Sequence, residues 1–256
     1  TMSETLRIAV VGAGPSGLSC AARAAQRGIP HILLEAESHP SHTIHQYQKG
    51  KHVMAEPGIL PLRSPLSFEA GKRETILERW NEEISKFRIN LQLDARVTGI
   101  SGKQGAFRLK TATGREISAE NVVLCIGTQG NLRKLGIPGE DLDRVQYQLD
   151  DPLAHASETI VVVGAGDAAI ENAIALAEQN RVIIVNRNDE FTRCKQGNLD
   201  LVLAAIREGR LECRYGSRPL RVEAAQTDGC PLGLTLQTPQ GDETVGCDRI
   251  IARLGA

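Results

Sequence analysis

Residues 10–22 read VVGAGPSGLSCAA, and residues 161–173 read VVVGAGDAAIENA. Set in register, Gly12, Gly14 and Gly17 fall on Gly164, Gly166 and Ala169. An apolar run with the pattern of a buried strand precedes each copy: LRIAVV and TIVVV. A helical run follows each, LSCAARAAQRG and AIENAIALAEQN, and then a second apolar strand, HILLE or VIIVNR. Strand, glycine-rich turn, helix and strand make a βαβ unit. A lone GxGxxG is a weak signal, but here the motif sits in its required context twice. The first glycine permits the tight turn, and the second lets backbone approach a pyrophosphate. The third position, Gly or Ala, lets helix and strand pack closely. The helix N-terminus then offers free N–H groups and the positive end of its dipole to phosphates.

The repeat runs further. FRLKTATGREISAENVVLCIG, residues 107–127, aligns with LTLQTPQGDETVGCDRIIARLG, residues 234–255. Leu109 matches Leu236 and Gly114 matches Gly241, while Gly127 matches Gly255 after a one-residue insertion. Each stretch reads as a hairpin with a polar turn, followed by an apolar strand ending in Gly. The predicted fold class is therefore α/β, with two Rossmann-like dinucleotide-binding domains of three-layer ββα build. A chain of 256 residues has room for both.

The copies differ where a ligand would touch. The acidic residue that holds a ribose follows the first glycine by about 20 residues or slightly more. In the first copy that residue is Glu35. A carboxylate there accepts from ribose hydroxyls and repels a 2′-phosphate, so this copy is expected to take FAD or NAD. The same offset in the second copy reaches Arg187, with Arg193 nearby. A guanidinium fork matches phosphate oxygens, so this copy is expected to prefer NADPH.

Composition excludes several function classes. A net charge of -1 leaves no electrostatic footprint for nucleic acid or an anionic membrane. No apolar run approaches a membrane span, and the first residues lead straight into a strand, so no secretory leader is expected. Aromatics are only 3%, so Val, Ile, Leu and Ala must fill the core. The six cysteines are scattered, with no CxxC and no metal-ligand cluster. They read as reduced thiols of a cytoplasmic protein, and no metal site is expected.

The phrases VVGAGPSGL, VVLCIGT (122–128), VVVGAGDAAIENA and VNRNDEFTR (185–193), together with Glu35, resemble those of the pyridine nucleotide-disulfide oxidoreductase superfamily. The chain looks most similar to low-molecular-weight thioredoxin reductases and their bacillithiol-disulfide-reductase-like and flavin-monooxygenase-like relatives. The resemblance implies FAD in the first domain and NADPH in the second, which is inserted in the FAD domain. It places Pro15, Ser16, Ala36, Ile126, Gly127 and Thr128 at FAD and the Val97 backbone at its adenine. It places Asp167, Ala168, Glu171 and Asn186 with Arg187 and Arg193 at NADPH. The implied boundaries are 1–128 for the FAD domain, 129–154 for a hinge, 155–249 for the NAD(P)H domain and 250–256 for a return strand. A homodimer is admitted.

The resemblance fails in three places. The redox CxxC that thioredoxin reductases carry before the second glycine-rich turn is absent, because residues 143–166 read DRVQYQLDDPLAHASETIVVVGAG. The monooxygenase fingerprint, Phe-x-Gly followed by a spaced His, is absent too. The segment that closes the family's FAD domain is expected beyond Ala256, in a longer protein. The expected chemistry is hydride transfer from NADPH to FAD and onward to a small-molecule or protein acceptor. The rival reading is an NADPH-binding sensor or electron-relay module without turnover of its own. A mobile low-molecular-weight thiol with Cys20 as a contact is a further option.

The first copy is longer than the second by a stretch mapping to residues 38–68, which holds His39, His42, His45, His52, Lys49, Lys51 and four prolines. It reads as a loop-rich insertion. The resemblance sets its HTIHQY part beside the flavin ring, within reach of Thr43 and His45, and Lys49 or Lys51 could face an anionic acceptor. After it, KRETILERWNEEISKF (72–87) has helical spacing at Ile76, Leu77, Trp80, Ile84 and Phe87, which makes Trp80 a core residue.

Overall fold

The computed structural model describes residues 6–54, 63–127, 132–227 and 229–255. Two compact units divide the chain, residues 1–130 and 131–256.

The first unit contains β1 (Leu6–Val11), α1 (Pro15–Gln26), β2 (His31–Leu34), α2 (His42–His45), β3 (His52–Val53) and β4 (Gly71–Lys72). Then come α3 (Arg73–Lys86), β5 (Leu91–Gln92), β6 (Val97–Lys103), β7 (Ala106–Thr111) and β8 (Glu116–Leu124). Its main sheet runs β5-β2-β1-β8-β7-β6. The first four strands are parallel and the last two extend the sheet as an antiparallel meander.

Side chains alternate across a strand, so each strand feeds two cores. Val10 and Leu33 face one way and pack with Leu18, Ala21, Ile76 and Trp80 of α1 and α3. Ala9, Ile32 and Leu34 face the other way and pack with Leu109, Ile117 and Ala119 of the meander. Helices, parallel strands and meander are the three layers expected. Trp80 is buried as the spacing predicts, and its Nε1–H donates to the Ser67 carbonyl.

The second unit repeats the scheme with β9 (Val145–Gln146), a 3-10 turn at Pro152–Ala154, β10 (Thr159–Val163), α4 (Asp167–Leu176), β11 (Arg181–Val185), α5 (Gln196–Arg207) and β12 (Leu211–Arg214). It ends with β13 (Arg218–Thr227), β14 (Cys230–Thr238), β15 (Gly241–Cys247) and β16 (Arg249–Ala252). Its parallel sheet runs β12-β11-β10-β16-β9, and β13-β14-β15 form a separate antiparallel sheet. Ile160, Val162 and Ile184 pack on α4 and α5, while Val161, Val163 and Ile183 pack on Leu232, Leu234 and Leu236. Leu109 and Leu236, matched by sequence, are both fully buried in equivalent meander cores.

The copies part at the last strand. In the first, β8 is continuous from the meander into the parallel sheet. In the second, β15 and β16 are separate, with Asp248 between them. The one-residue insertion falls between Gly241 and Gly255, the stretch that contains this break. Asp248 ties down the break: its Oδ2 accepts from the Thr159 N–H at 2.8 Å, and its own N–H donates to the Thr159 carbonyl at 2.7 Å.

The expected boundaries also shift. The sequence marks 129–154 as a hinge and 250–256 as a return strand. The structure packs both stretches, where described, into the second unit. Val145–Gln146 pairs with Ile250–Ile251 at the sheet edge, and Leu135, Ile137 and Leu142 lie against the meander core. Stretch 38–68, read as loop, contributes α2 and a two-residue strand, β3, which pairs with β4; residues 55–62 lie outside the described set. No helix among the described residues is long and apolar enough to cross a membrane.

Candidate functional site

In the first unit the glycine-rich turn joins β1 to α1 at the carboxyl end of the parallel strands. Gly12 has φ +98°, and its N–H donates to the Leu34 carbonyl at 2.8 Å. A Cβ there would run into the Cys125 carbonyl at the end of β8. A Cβ on Gly17 would run into the Gly12 carbonyl. Those two glycines are demanded by the protein's own packing. Gly14 is different, because a Cβ there would meet nothing within 4 Å. Its backbone faces open space at the start of α1, followed by Pro15, whose missing N–H is no loss at that position. Ser16 completes this first turn.

Glu35 ends the adjacent strand and is buried. One carboxylate oxygen accepts from the Ala13 N–H inside the turn at 2.8 Å, and the other from the Glu37 N–H at 3.1 Å. Ala36 lies between. The Glu35 carbonyl accepts from the Ala95 N–H at 2.7 Å, which brings the start of β6, and so Val97, to the same corner. Ile126 and Gly127, past the end of β8, are exposed. Thr128 lies outside the described residues.

The α2 segment is fastened to the same turn, since the Ser41 N–H donates to the Ala13 carbonyl at 2.9 Å. Ser41 was missed in the sequence. It holds a left-handed backbone, φ 59°, and its buried hydroxyl has no hydrogen-bond partner among the described residues. Thr43 and His45 sit on α2. His45 lies against the His39 ring, centroids 4.1 Å apart, and His39 contacts His42 at 3.2 Å. Burial, His39, Arg73 and His42 together hold the His45 imidazole below its ordinary pKa.

In the second unit Gly164 has φ +131°, and a Cβ there would strike the Arg253 carbonyl after β16. Ala169 replaces Gly17, and its own Cβ lies 3.4 Å from that Gly164 position. Helix and turn are therefore spaced for one extra carbon. At Gly166 the nearest atom to a Cβ is the Arg193 carbonyl, at 3.7 Å. A cleft of about 740 Å³ opens here, lined by the turn from Gly164 to Ala169 and by Asn186, Arg187 and Arg193. Its size suits a cofactor. Among the described residues, neither Arg187 nor Arg193 makes an ion pair or a side-chain hydrogen bond.

Three sequence-predicted residues hold the cleft's wall. The Asn186 side chain is buried, donates to the Glu190 carbonyl and accepts from the Asn188 N–H, both at 3.0 Å. It folds the loop carrying Arg187. The Asp167 carboxylate accepts from the Lys195 N–H at 2.8 Å and from Asn198 Nδ2 at 2.7 Å. Glu171 accepts from the same Asn198 amide at 3.3 Å. These two carboxylates fasten α4 to the start of α5. Ala168 lines the cleft beside them. Arg133 and Arg218 also line it and were missed, because only the chain's return brings them there.

Residues 9–228 match the family model described as pyridine nucleotide-disulphide oxidoreductase. Over 249 residues the chain is 33% identical to the ferredoxin--NADP reductase of Ignicoccus hospitalis, covering 96% of this chain and 75% of that relative. Among solved structures, the bacillithiol disulfide reductase Bdr of Staphylococcus aureus superposes with a TM-score of 0.83 at 17% identity, over 98% of this chain and 77% of that one. The thioredoxin reductase of Lactococcus lactis superposes at 0.77 and 20% identity, over 98% and 78%.

Proposed function

The chain belongs to the pyridine nucleotide-disulphide oxidoreductase family, and on that premise we propose that it is a flavin-dependent NADPH oxidoreductase. FAD is taken by the first unit and NADPH by the second. The observation that carries this reading is the pair of middle glycines, Gly14 and Gly166, where a Cβ would meet open space or only ordinary contact. Nothing in the protein itself requires glycine at either position. A pyrophosphate lying against the backbone does.

The donor sets fit the two cofactors. Glu35 spends one lone pair of each oxygen on backbone N–H groups and keeps others for ribose hydroxyls. The N-terminal N–H groups of α1 and α4 face where phosphates would lie. Arg187 and Arg193 supply positive charge for a 2′-phosphate, held in place by Asn186 and by the Asp167–Lys195 contact. When bound, NADPH supplies a hydride and FAD accepts it, releasing electrons singly or in pairs.

We place the acceptor outside the chain, reached from the flavin directly. Thiol relay needs a reactive thiolate and a resolving partner. No CxxC is present. Burial raises the thiols of Cys20, Cys125 and Cys194, and pushes Cys213 and Cys247 up to about 12. A small redox protein of the ferredoxin kind, as named for the relative from Ignicoccus, fits this better than a disulfide substrate. The test is a visible spectrum of the protein with FAD, before and after anaerobic NADPH. A flavin band that bleaches with NADPH and far less with NADH supports the reading. Bound NADPH without flavin uptake overturns it for this chain, in favour of a sensor or an incomplete flavin domain.

A further inference from the structure

Arg218 opens β13, in a part of the sequence with no nucleotide-binding motif. The fold returns it to the cleft. The Ser217 N–H donates to the Asn186 carbonyl at 3.0 Å and the Gly216 N–H to the Asn188 carbonyl at 3.1 Å. These two bonds clip the start of β13 to the loop that carries Arg187. The clip is stiff. Ser217 is 1% exposed, with its hydroxyl on the Tyr215 carbonyl at 2.7 Å. Gly216 has φ +57°, and a Cβ there would press on Pro239 and Asp189.

Arg187 and Arg193, on the loop between β11 and α5, and Arg218, at the start of β13, thus line one cleft from two different segments. Elsewhere in this unit arginines on strands are neutralised in place: Arg181 by Glu212, Arg214 by Glu243, Arg221 by Glu223 and Arg249 by Glu158. Among the described residues Arg187, Arg193 and Arg218 have no such partner, and Asp189 on the loop of the first two pairs with none of them. Asp167 also lines the cleft, but its carboxylate is engaged by the Lys195 N–H and the Asn198 amide, and cations on one cleft without a carboxylate partner repel one another unless an anion joins them.

We infer that Arg218 is a specificity-determining residue, the third guanidinium on a dianionic phosphate held by Arg187 and Arg193. This rests on the NADPH reading and adds a residue to it. A phosphate monoester presents three oxygens, and a guanidinium fork engages two at once. An arginine on rigid strand geometry gives up less freedom on binding than one on a loop.

The experiment is calorimetric titration of the intact chain with 2′,5′-ADP and with 5′-AMP, in wild type, Arg218→Ala and Arg218→Lys. Wild type is expected to prefer 2′,5′-ADP. Arg218→Ala should weaken 2′,5′-ADP about tenfold, leave 5′-AMP within about twofold, and keep the wild-type melting temperature, since Arg218 is exposed. Arg218→Lys should recover part of the loss. A wild type that discriminates while Arg218→Ala discriminates equally well overturns the assignment and leaves the NADPH reading standing. A wild type that does not discriminate overturns both.

Discussion

The carbonyl oxygen of Cys125 occupies the space that a Cβ on Gly12 would need. The strand that closes the first parallel sheet therefore presses on the turn that opens it. Gly12 also has φ +98°, which L-residues rarely adopt. Gly12→Ala should destabilise the protein by roughly 2–4 kcal/mol. Gly14→Ala meets nothing and has ordinary backbone angles, so its stability should stay within about 1 kcal/mol of wild type. Its loss should appear as weaker FAD retention. Melting curves and flavin content of the two variants separate these effects. If Gly14→Ala kept full flavin, the reading of the open space would fail.

Glu35 holds the turn together and, on the proposed reading, a ribose as well. Its carboxylate receives the N–H groups of Ala13 and Glu37 while buried. An amide has one oxygen, so Glu35→Gln leaves one of those donors facing an NH₂ group. About 1–3 kcal/mol of stability should go with it. FAD binding should weaken by more than the melting shift alone explains. Chemical denaturation with and without added FAD provides the comparison.

Asp167 is a positioning residue for the arginine loop. Its carboxylate holds Lys195 N–H and the Asn198 amide, and the chain between Arg187 and Lys195 hangs from that contact. Asp167→Ala should raise the KM for NADPH several-fold with little change in kcat, and should blunt the NADPH-over-NADH preference. A structural role without influence on Arg193 would shift both cofactors equally. Steady-state kinetics with each nucleotide decides it.

The Arg249–Glu158 pair ties the start of β16 to the entry of the central strand β10. Two hydrogen bonds join them, at 2.9 and 3.1 Å, with both side chains mostly buried. Arg249→Met strands a carboxylate and should cost roughly 1–3 kcal/mol. Arg249 lowers the Glu158 pKa, principally through this hydrogen bonding. That contribution is present above the ordinary carboxylate range and disappears as pH falls through the lowered value. The acid limb of the stability curve should thus be shallower in Arg249→Met.

Much of this was legible in the sequence because it depends on local pattern. The glycines of both turns, the two-faced strands and the Leu109–Leu236 register all follow from spacing. So does burial of Trp80 on a helical face. What was not legible depends on return of the chain. Arg218 carries no motif and reaches the cleft that Arg187 lines only through the Ser217–Asn186 clip. Val145–Gln146 is too short to show period-two alternation, and it becomes a strand only because Ile250–Ile251 offers an edge. Asp167 has the right motif position, yet its side chain turns to α5, a direction no spacing encodes.

The histidines of the inserted stretch supply a pH dependence with a definite sign. His45 packs on His39, with His42 and Arg73 contributing further positive field. Burial first, then His39, Arg73 and His42, hold it below the ordinary value of 6.5. The folded protein therefore resists taking a proton that the unfolded chain accepts readily. Between the lowered value and 6.5 the unfolded state binds more protons, so stability falls as pH falls through that window. Ser41, one turn earlier, accepts from the His45 N–H and donates to the Ala13 carbonyl, which links His45 to the turn proposed to hold FAD. Melting temperature and flavin retention should both drop as pH falls through 6.5 towards the lowered value. In His45→Gln both slopes should flatten. Equal slopes in wild type and variant would assign the dependence to other groups.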